Sequence, residues 1–212
     1  AYERWKKTPE YQQWLKETGQ LKKRAAAKPE TGAFVLQGGK GVAERKFDTL
    51  AEAVASSSDG ATIEVRGNGP FDTSPIDIAN QSLTIRAADG FRPVIKLSPE
   101  GAQTYDPMLR SGGLLTIEGL EFQRLGQKKR EGMVYQPTIF WSEGTLHAAN
   151  CRFWLDNQPW QACVYANGPV CIARNCEFLT PGSYAVSGCF PRGRLRVMDN
   201  CVQVGDYPQG LV

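Results

Sequence analysis

LHAANCRF (146–153), CIARNCEF (171–178) and LRVMDNC (195–201) are three copies of one pattern. Asn-Cys recurs in them as Asn150-Cys151, Asn175-Cys176 and Asn200-Cys201, 25 residues apart each time. A degenerate copy lies upstream as LLTIEGLEF (114–122), where Gly119-Leu120 takes the place of Asn-Cys, and a fainter one as SLTIRAADGF (82–91). Self-similarity at a period of about 20–50 residues is the mark of a solenoid. Within a copy, Leu146, Ala148, Cys151 and Phe153 face one way while His147 and Arg152 face the other. The next copy repeats this with Cys171, Ala173, Cys176 and Phe178 inside, and with Arg174 and Glu177 on or near the outside. Such alternation is the signature of a half-buried strand. A one-residue kink is needed between Ala148 and Cys151. Asn tolerates the left-handed backbone region that a kink requires, and Gly does so more easily. Gly119, Asn150, Asn175 and Asn200 therefore read as corners, and Leu120, Cys151, Cys176 and Cys201 as one inward column.

A third strand precedes these two in each unit: MLRS (108–111), IFWS (139–142), CVYA (163–166) and AVSG (185–188). Three strands per coil and about 25 residues per turn describe an all-β, single-stranded, right-handed parallel β-helix, its coils about 4.8 Å apart. A helical solenoid would need a 3.6-residue period, and leucine-rich repeats an L-x-x-L-x-L frame; neither fits. Upstream, FDTLAEAVASSSDGATIEV (47–65) begins with a capping box at Thr49 and Glu52 and carries an apolar stripe of Leu50, Ala53 and Val54. It predicts a capping helix over about 48–58, ended by Asp59-Gly60 and feeding the first strand at Thr62–Val65. Repeat proteins need such an end cap, because an open first coil exposes strand edges and core. The expected organisation is a helical arm and linker over 1–33 and a β-helix domain over 34–212.

The 212 residues suffice for one sizeable core. Residues 1–30 carry eight Lys or Arg and four Glu, so the arm is +4 and the remainder of the +3 chain is −1. A near-neutral solenoid argues against a nucleic-acid ligand, which needs a basic face. No run of 18 apolar residues offers a membrane span. The chain starts at Ala1 rather than Met and reads as a mature product or a piece of a longer protein. All six cysteines fall between Cys151 and Cys201, with no C-x-x-C pair and a single His, so no metal is expected. The column cysteines read as free stacked thiols, because side chains projecting in parallel do not point at one another.

In the arm, Thr8-Pro9-Glu10 is a helix start, and Tyr11, Trp14, Leu15 and Leu21 give an apolar edge. Trp5 and Trp14 need something to pack on: the solenoid flank, a second copy, or a neighbouring domain. AAAKPETGA (25–33) reads as a hinge, and Gly38-Gly39-Lys40-Gly41 as a turn rather than a phosphate loop, since no Ser/Thr follows the Lys. Insertions at 98–107 and 126–138 project from one edge, where specificity tends to reside on a rigid scaffold.

Enzymes that cleave acidic polysaccharides need two or three carboxylates brought together with a basic residue. Glu118, Glu121, Glu143, Asp156 and Glu177 instead scatter over different turns and faces, and His147, read as outward, has no nucleophile beside it. No catalytic set and no cofactor is predicted. The outward column of the third strands runs Arg110, Trp141, Tyr165, Ser187, with Trp154, Asp156 and Trp160 nearby on the longer loop of the fourth coil. Flat aromatics beside an Arg and a carboxylate suit a sugar ring. The competing reading has Trp141 and Tyr165 covered by loop 154–161 or by the arm.

The stretch FVLQGGKGVAERKFDTLAEAVASSSDGATIEVRGNGPF (34–71), with SLTIRAADGFRPVI (82–95) and LLTIEGLEF (114–122), resembles β-helix modules of large planctomycete proteins. Some of those carry Ser/Thr protein kinase domains joined through a membrane-anchored linker. The F-x-T-L-x-E-A-V…D-G-x-T-I portion is similar to the start of the wider pectin-lyase-like superfamily, although none of the superfamily's acidic or His catalytic motifs occurs here. The resemblance spans roughly 34–204. It implies an extracytoplasmic sensory or adhesive module, tethered to a larger parent through the arm. The expected function is thus a non-catalytic module binding a polysaccharide or a protein, with self-association through the arm or terminal coil open. The alternatives are a polysaccharide lyase or hydrolase, and a purely structural spacer.

Overall fold

A computed structural model describes residues 31–38, 43–126, 138–155, 162–180, 184–188 and 195–205. The arm over 1–30, the turn at 39–41, most of the 126–138 insertion, Asp156 and Trp160 lie outside the described residues.

The described chain is mostly β and forms three sheets. The first has eight strands in the spatial order β18 (Leu195–Asp199), β15 (Val170–Arg174), β12 (Leu146–Ala149), β9 (Leu115–Glu118), β6 (Leu83–Ala87), β3 (Ala61–Val65), β1 (Phe34–Leu36) and β2 (Arg45–Phe47). The second has six: β19 (Val202–Val204), β16 (Glu177–Leu179), β13 (Arg152–Leu155), β10 (Glu121–Arg124), β7 (Val94–Leu97) and β4 (Phe71–Thr73). The third has five: β17 (Tyr184–Ser187), β14 (Ala162–Ala166), β11 (Phe140–Ser142), β8 (Leu109–Ser111) and β5 (Ile76–Asp77). Sheet neighbours from β3 onward differ by three in chain order, so the chain visits the three sheets in turn and then pairs one circuit on the last. Those pairings are parallel, and the arrangement is compatible with an all-β solenoid.

Alternation decides which side chains enter the core. Along β12 and β15, Leu146, Ala148, Cys171 and Ala173 are buried, while His147 and Ile172 between them are partly exposed. Between the sheets, Phe122, Phe153 and Phe178 stack circuit upon circuit at 6.0 and 5.0 Å, and Phe140 meets Phe122 and Phe153 edge-on. Arranged this way, the rings fill the interior and gain offset and edge contacts beyond burial alone. The last circuit departs from the pattern. Arg196 stands in register with Cys171, and Gln203 with Phe178, while Leu195, Val202 and Val204 are 52, 57 and 54% exposed. Two core-facing positions turn polar there and three outward positions turn apolar, while Met198 and Cys201 still pack against the core.

The bends between the first and second sheets are built by positive-φ residues. Gly119 has φ 72°, Asn150 55°, Asn175 51° and Asn200 49°. Their amides form a ladder: Asn175 Nδ2 donates to Asn150 Oδ1 at 3.2 Å, and Asn200 Nδ2 to Asn175 Oδ1 at 2.7 Å. Replacing Asn175 by Ala removes both bonds and leaves a side chain that is strained at that φ; a loss of about 2 kcal/mol is expected in urea unfolding. Asn175→Gly restores the backbone freedom but not the ladder, and about half the loss should remain.

Two features at the N-terminal end differ from the sequence reading. Helix α1 runs Leu50–Ala55, shorter than 48–58. Its capping box is present, with Glu52 N–H donating to Thr49 Oγ1 and Thr49 N–H to Glu52 Oε2, both at 3.2 Å. It stops early because three serines follow, whose side chains compete for backbone groups; Ser57 Oγ donates to Val54 O at 2.7 Å. Ahead of α1, β1 pairs antiparallel with both β2 and β3, adding two strands that periodicity did not reveal.

Candidate functional site

The five-stranded sheet carries one outward column through five circuits. Register places Asp77 beside Arg110, Arg110 beside Trp141, Trp141 beside Tyr165, and Tyr165 beside Ser187. Their neighbours along each strand, such as Leu109 and Ser111 or Phe140 and Ser142, are buried, which points the column away from the core. Trp141 and Tyr165 stack with centroids 4.4 Å apart and planes 28° from parallel. The Arg110 guanidinium lies over the other face of Trp141, 6.0 Å from its centroid. Trp141 is thus held between a cation and a ring, and its edge, rather than a face, is presented outward. Its indole N–H donates to Glu143 Oε1 at 3.1 Å, which locks the ring's rotation.

Trp154 belongs to a different face. It stands on β13, half-buried, in the outward column Lys96, Gln123, Trp154, Leu179, Val204 of the six-stranded sheet. Arg110, Trp141 and Tyr165 are brought together; Trp154 is not on their sheet. Sequence reasoning missed Asp77 and Glu143. The Ile76-Asp77-Ile78 alternation was a signal for the first, but β5 is only two residues long.

The cysteine column lies inside. Cys151 and Cys176 are buried and Cys201, on the last circuit, is partly exposed; none of the three is in a disulfide. Each thiol points at two carbonyls, one two residues back and one a circuit earlier: Cys176 Sγ to Arg174 O at 3.2 Å and Ala148 O at 3.7 Å, for example. Hydrogen bonding from Cys151 holds the Cys176 thiol below its ordinary value, while burial pushes Cys151 well up. Burial likewise raises Cys163, and raises Cys171 to about 11.

Charges on the six-stranded sheet pair structurally. Arg152 Nη2 reaches Glu177 Oε2 at 2.6 Å, and its Nη1 reaches Glu121 Oε2 at 3.6 Å, forming a ladder across β10, β13 and β16. His147 sits half-buried on β12 between Thr116 and Ile172. Among the described residues no group of three or more His, Cys, Asp or Glu could hold a metal ion. No helix among them is long and apolar enough to cross a membrane.

In comparisons with known proteins, no family model and no curated protein matched the chain.

Proposed function

We propose that this chain is a non-catalytic binding module of a larger surface or signalling protein, and that the Arg110–Trp141–Tyr165 stripe is where its ligand lands. The scaffold is a right-handed parallel β-helix closed at its N-terminal end by α1. Parallel crossovers are almost always right-handed, and Leu50, Ala53 and Val54 join the core cluster there, which supports that reading. The observation that carries the function is the pre-stacked stripe itself. Arg, Trp and Tyr dominate the energetics of binding surfaces, and rings held by neighbours pay little ordering entropy on contact. Among the described residues, acids do not converge on the stripe: Glu143 is engaged by Trp141, and Asp77 accepts from Ala79 N–H at 2.8 Å. That supports binding over bond cleavage.

The ligand is a polysaccharide or a protein. The extracytoplasmic location and the tether to a parent protein are part of the same proposal and rest on the resemblance alone. A polysaccharide array is the first probe. Because both aromatics point outward, the Trp141→Ala, Tyr165→Ala double variant should keep its unfolding midpoint within a few degrees. Capture of any bound glycan should fall at least about tenfold. Unchanged capture removes the stripe from consideration, and appearance of unsaturated or reducing ends would make the chain an enzyme.

A further inference from the structure

Of the described cysteines, Cys151, Cys163, Cys171 and Cys176 are buried, and Cys201 is the one partly open to solvent. Cys201 also stands where the fold is freest to move. It lies between β18 and β19, the terminal strands of their sheets, which pair on one side only among the described residues. Its place over Cys176 is fixed from both flanks. Asn200 Nδ2 donates to Asn175 Oδ1 at 2.7 Å, and Val202 N–H donates to Cys176 O at 2.9 Å. Neighbours in such register sit about 4.8 Å apart, inside the roughly 4.4–6.8 Å between Cα atoms that a disulfide accepts. The Cys201 thiol leans back toward the preceding circuit, its Sγ 3.4 Å from Ala173 O, and is in hydrogen-bonding contact with the Cys176 thiol.

We infer that Cys201 is a modification site for hydroperoxides, with Cys176 as the thiol that resolves the product into a disulfide. In the first step the Cys201 sulfur attacks one peroxide oxygen and the O–O bond breaks. The leaving alkoxide, or hydroxide from hydrogen peroxide, takes the thiol proton and departs as alcohol or water. A sulfenic acid remains on Cys201. The Cys176 sulfur then attacks the Cys201 sulfur, the S–O bond breaks, and the departing hydroxide takes the Cys176 proton and leaves as water. Two thiols have given up two electrons and two protons, and the peroxide has taken them. Hydrogen bonding holds the Cys176 thiol below its ordinary value, which favours the thiolate that the second step needs. Cys151 and Cys176 cannot start this chemistry themselves, being only 2 and 1% exposed. Side chains that project in parallel must also tilt to meet, and an end circuit can tilt where an inner one is held on both sides. A bond closed under that strain is easily reduced, so a dithiol reverses the modification.

The test treats the full chain with hydrogen peroxide in slight excess and maps its peptides without reduction. A Cys176–Cys201 link is expected, with four of the six thiols still titratable after unfolding and all six recovered with dithiothreitol. Cys176→Ser should halt the reaction at the sulfenic acid, so that dimedone captures Cys201 at least about tenfold more than in the parent chain. Cys201→Ser should lose both the link and the dimedone adduct. Should either serine variant fail to fold, the parent chain's peptide map decides alone. Six thiols surviving the peroxide overturn the inference, as does oxidation that proceeds equally in Cys201→Ser. So does a link from Cys201 to any cysteine other than Cys176, including Cys189, which lies outside the described residues.

Discussion

Arg124→Ala should destabilise the protein by about 3–5 kcal/mol, enough to consume much of the stability of an ordinary domain. Arg124 is fully buried at the end of β10, in register with Leu155. Its guanidinium reaches into both insertions: Nη2 donates to Thr104 O at 2.9 Å, and Nη1 to Asp106 O at 2.6 Å and Thr138 O at 3.4 Å. Truncation leaves a large cavity and strips donors from carbonyls that hold the 98–107 loop and the end of the 126–138 loop against the core. Burial, opposed by the nearby Asp106 charge, pulls the guanidinium down from its ordinary value to about 10. The unfolded chain therefore holds this proton more tightly than the folded one. Stability gains from this group appear only as pH climbs above about 10, and at pH 7 the cost of burying the charge is fully present. Arg124→Met fills the volume without that cost and should lose far less, about 1 kcal/mol. If urea unfolding placed the Met and Ala variants together, the carbonyl bonds rather than the packed volume would be what matters. A loss under about 1 kcal/mol for Ala would end the idea that Arg124 pins the insertions.

Arg124 also marks where sequence reading reaches its limit. In Glu121-Phe122-Gln123-Arg124 alternation places Phe122 and residue 124 on the same side, but an arginine at a strand end ordinarily reads as solvated. Its burial depends on carbonyls 14 to 20 residues away, which no local pattern announces. Asn150, Asn175 and Asn200 were legible for the opposite reason: a left-handed corner admits few residue types, and the 25-residue period repeats that choice. The neighbouring of Arg110, Trp141 and Tyr165 could be read because each stands one place before a small Ser or Ala in a strand of similar length. The pairing of Phe34–Leu36 with Arg45–Phe47 could not, since three-residue strands, one of them charged, have too few positions to display a period. Ring orientation in the stripe was equally hidden. Sequence says that Trp141 is outward, but only coordinates reveal that both its faces are already occupied.

A single methyl group at Gly168 should be nearly as damaging as the loss of Arg124. Gly113, Gly144 and Gly168 form a column where the chain turns from the five-stranded to the eight-stranded sheet. The column escaped notice because the 126–138 insertion makes its spacing 31 and then 24 residues. The turns nest backbone on backbone. Asn167 and Gly168 N–H both donate to Ser142 O, at 2.7 and 3.1 Å, and Glu143 and Gly144 N–H repeat this on Ser111 O at 2.8 and 3.4 Å. A Cβ at Gly168 would overlap the Gly144 carbonyl and lie 3.0 Å from Glu143 O. Neither is a side-chain end that can swing aside, so two circuits must separate, and Gly168→Ala should cost at least about 3 kcal/mol. Gly60→Ala is the control: its φ is 76°, but nothing lies within 4 Å of the added carbon, and backbone strain alone should cost about 1–2 kcal/mol. The difference between the two, read by urea unfolding, isolates the overlap from the strain. The consequence reaches the ligand surface, because β11 and β14 run directly into Gly144 and Gly168. Circuits forced apart there carry Trp141 away from Tyr165, so ligand capture should fall in Gly168→Ala even at temperatures where the variant is folded. A variant matching Gly60→Ala in stability and the parent in capture would mean that the turns do not set the spacing of the stripe.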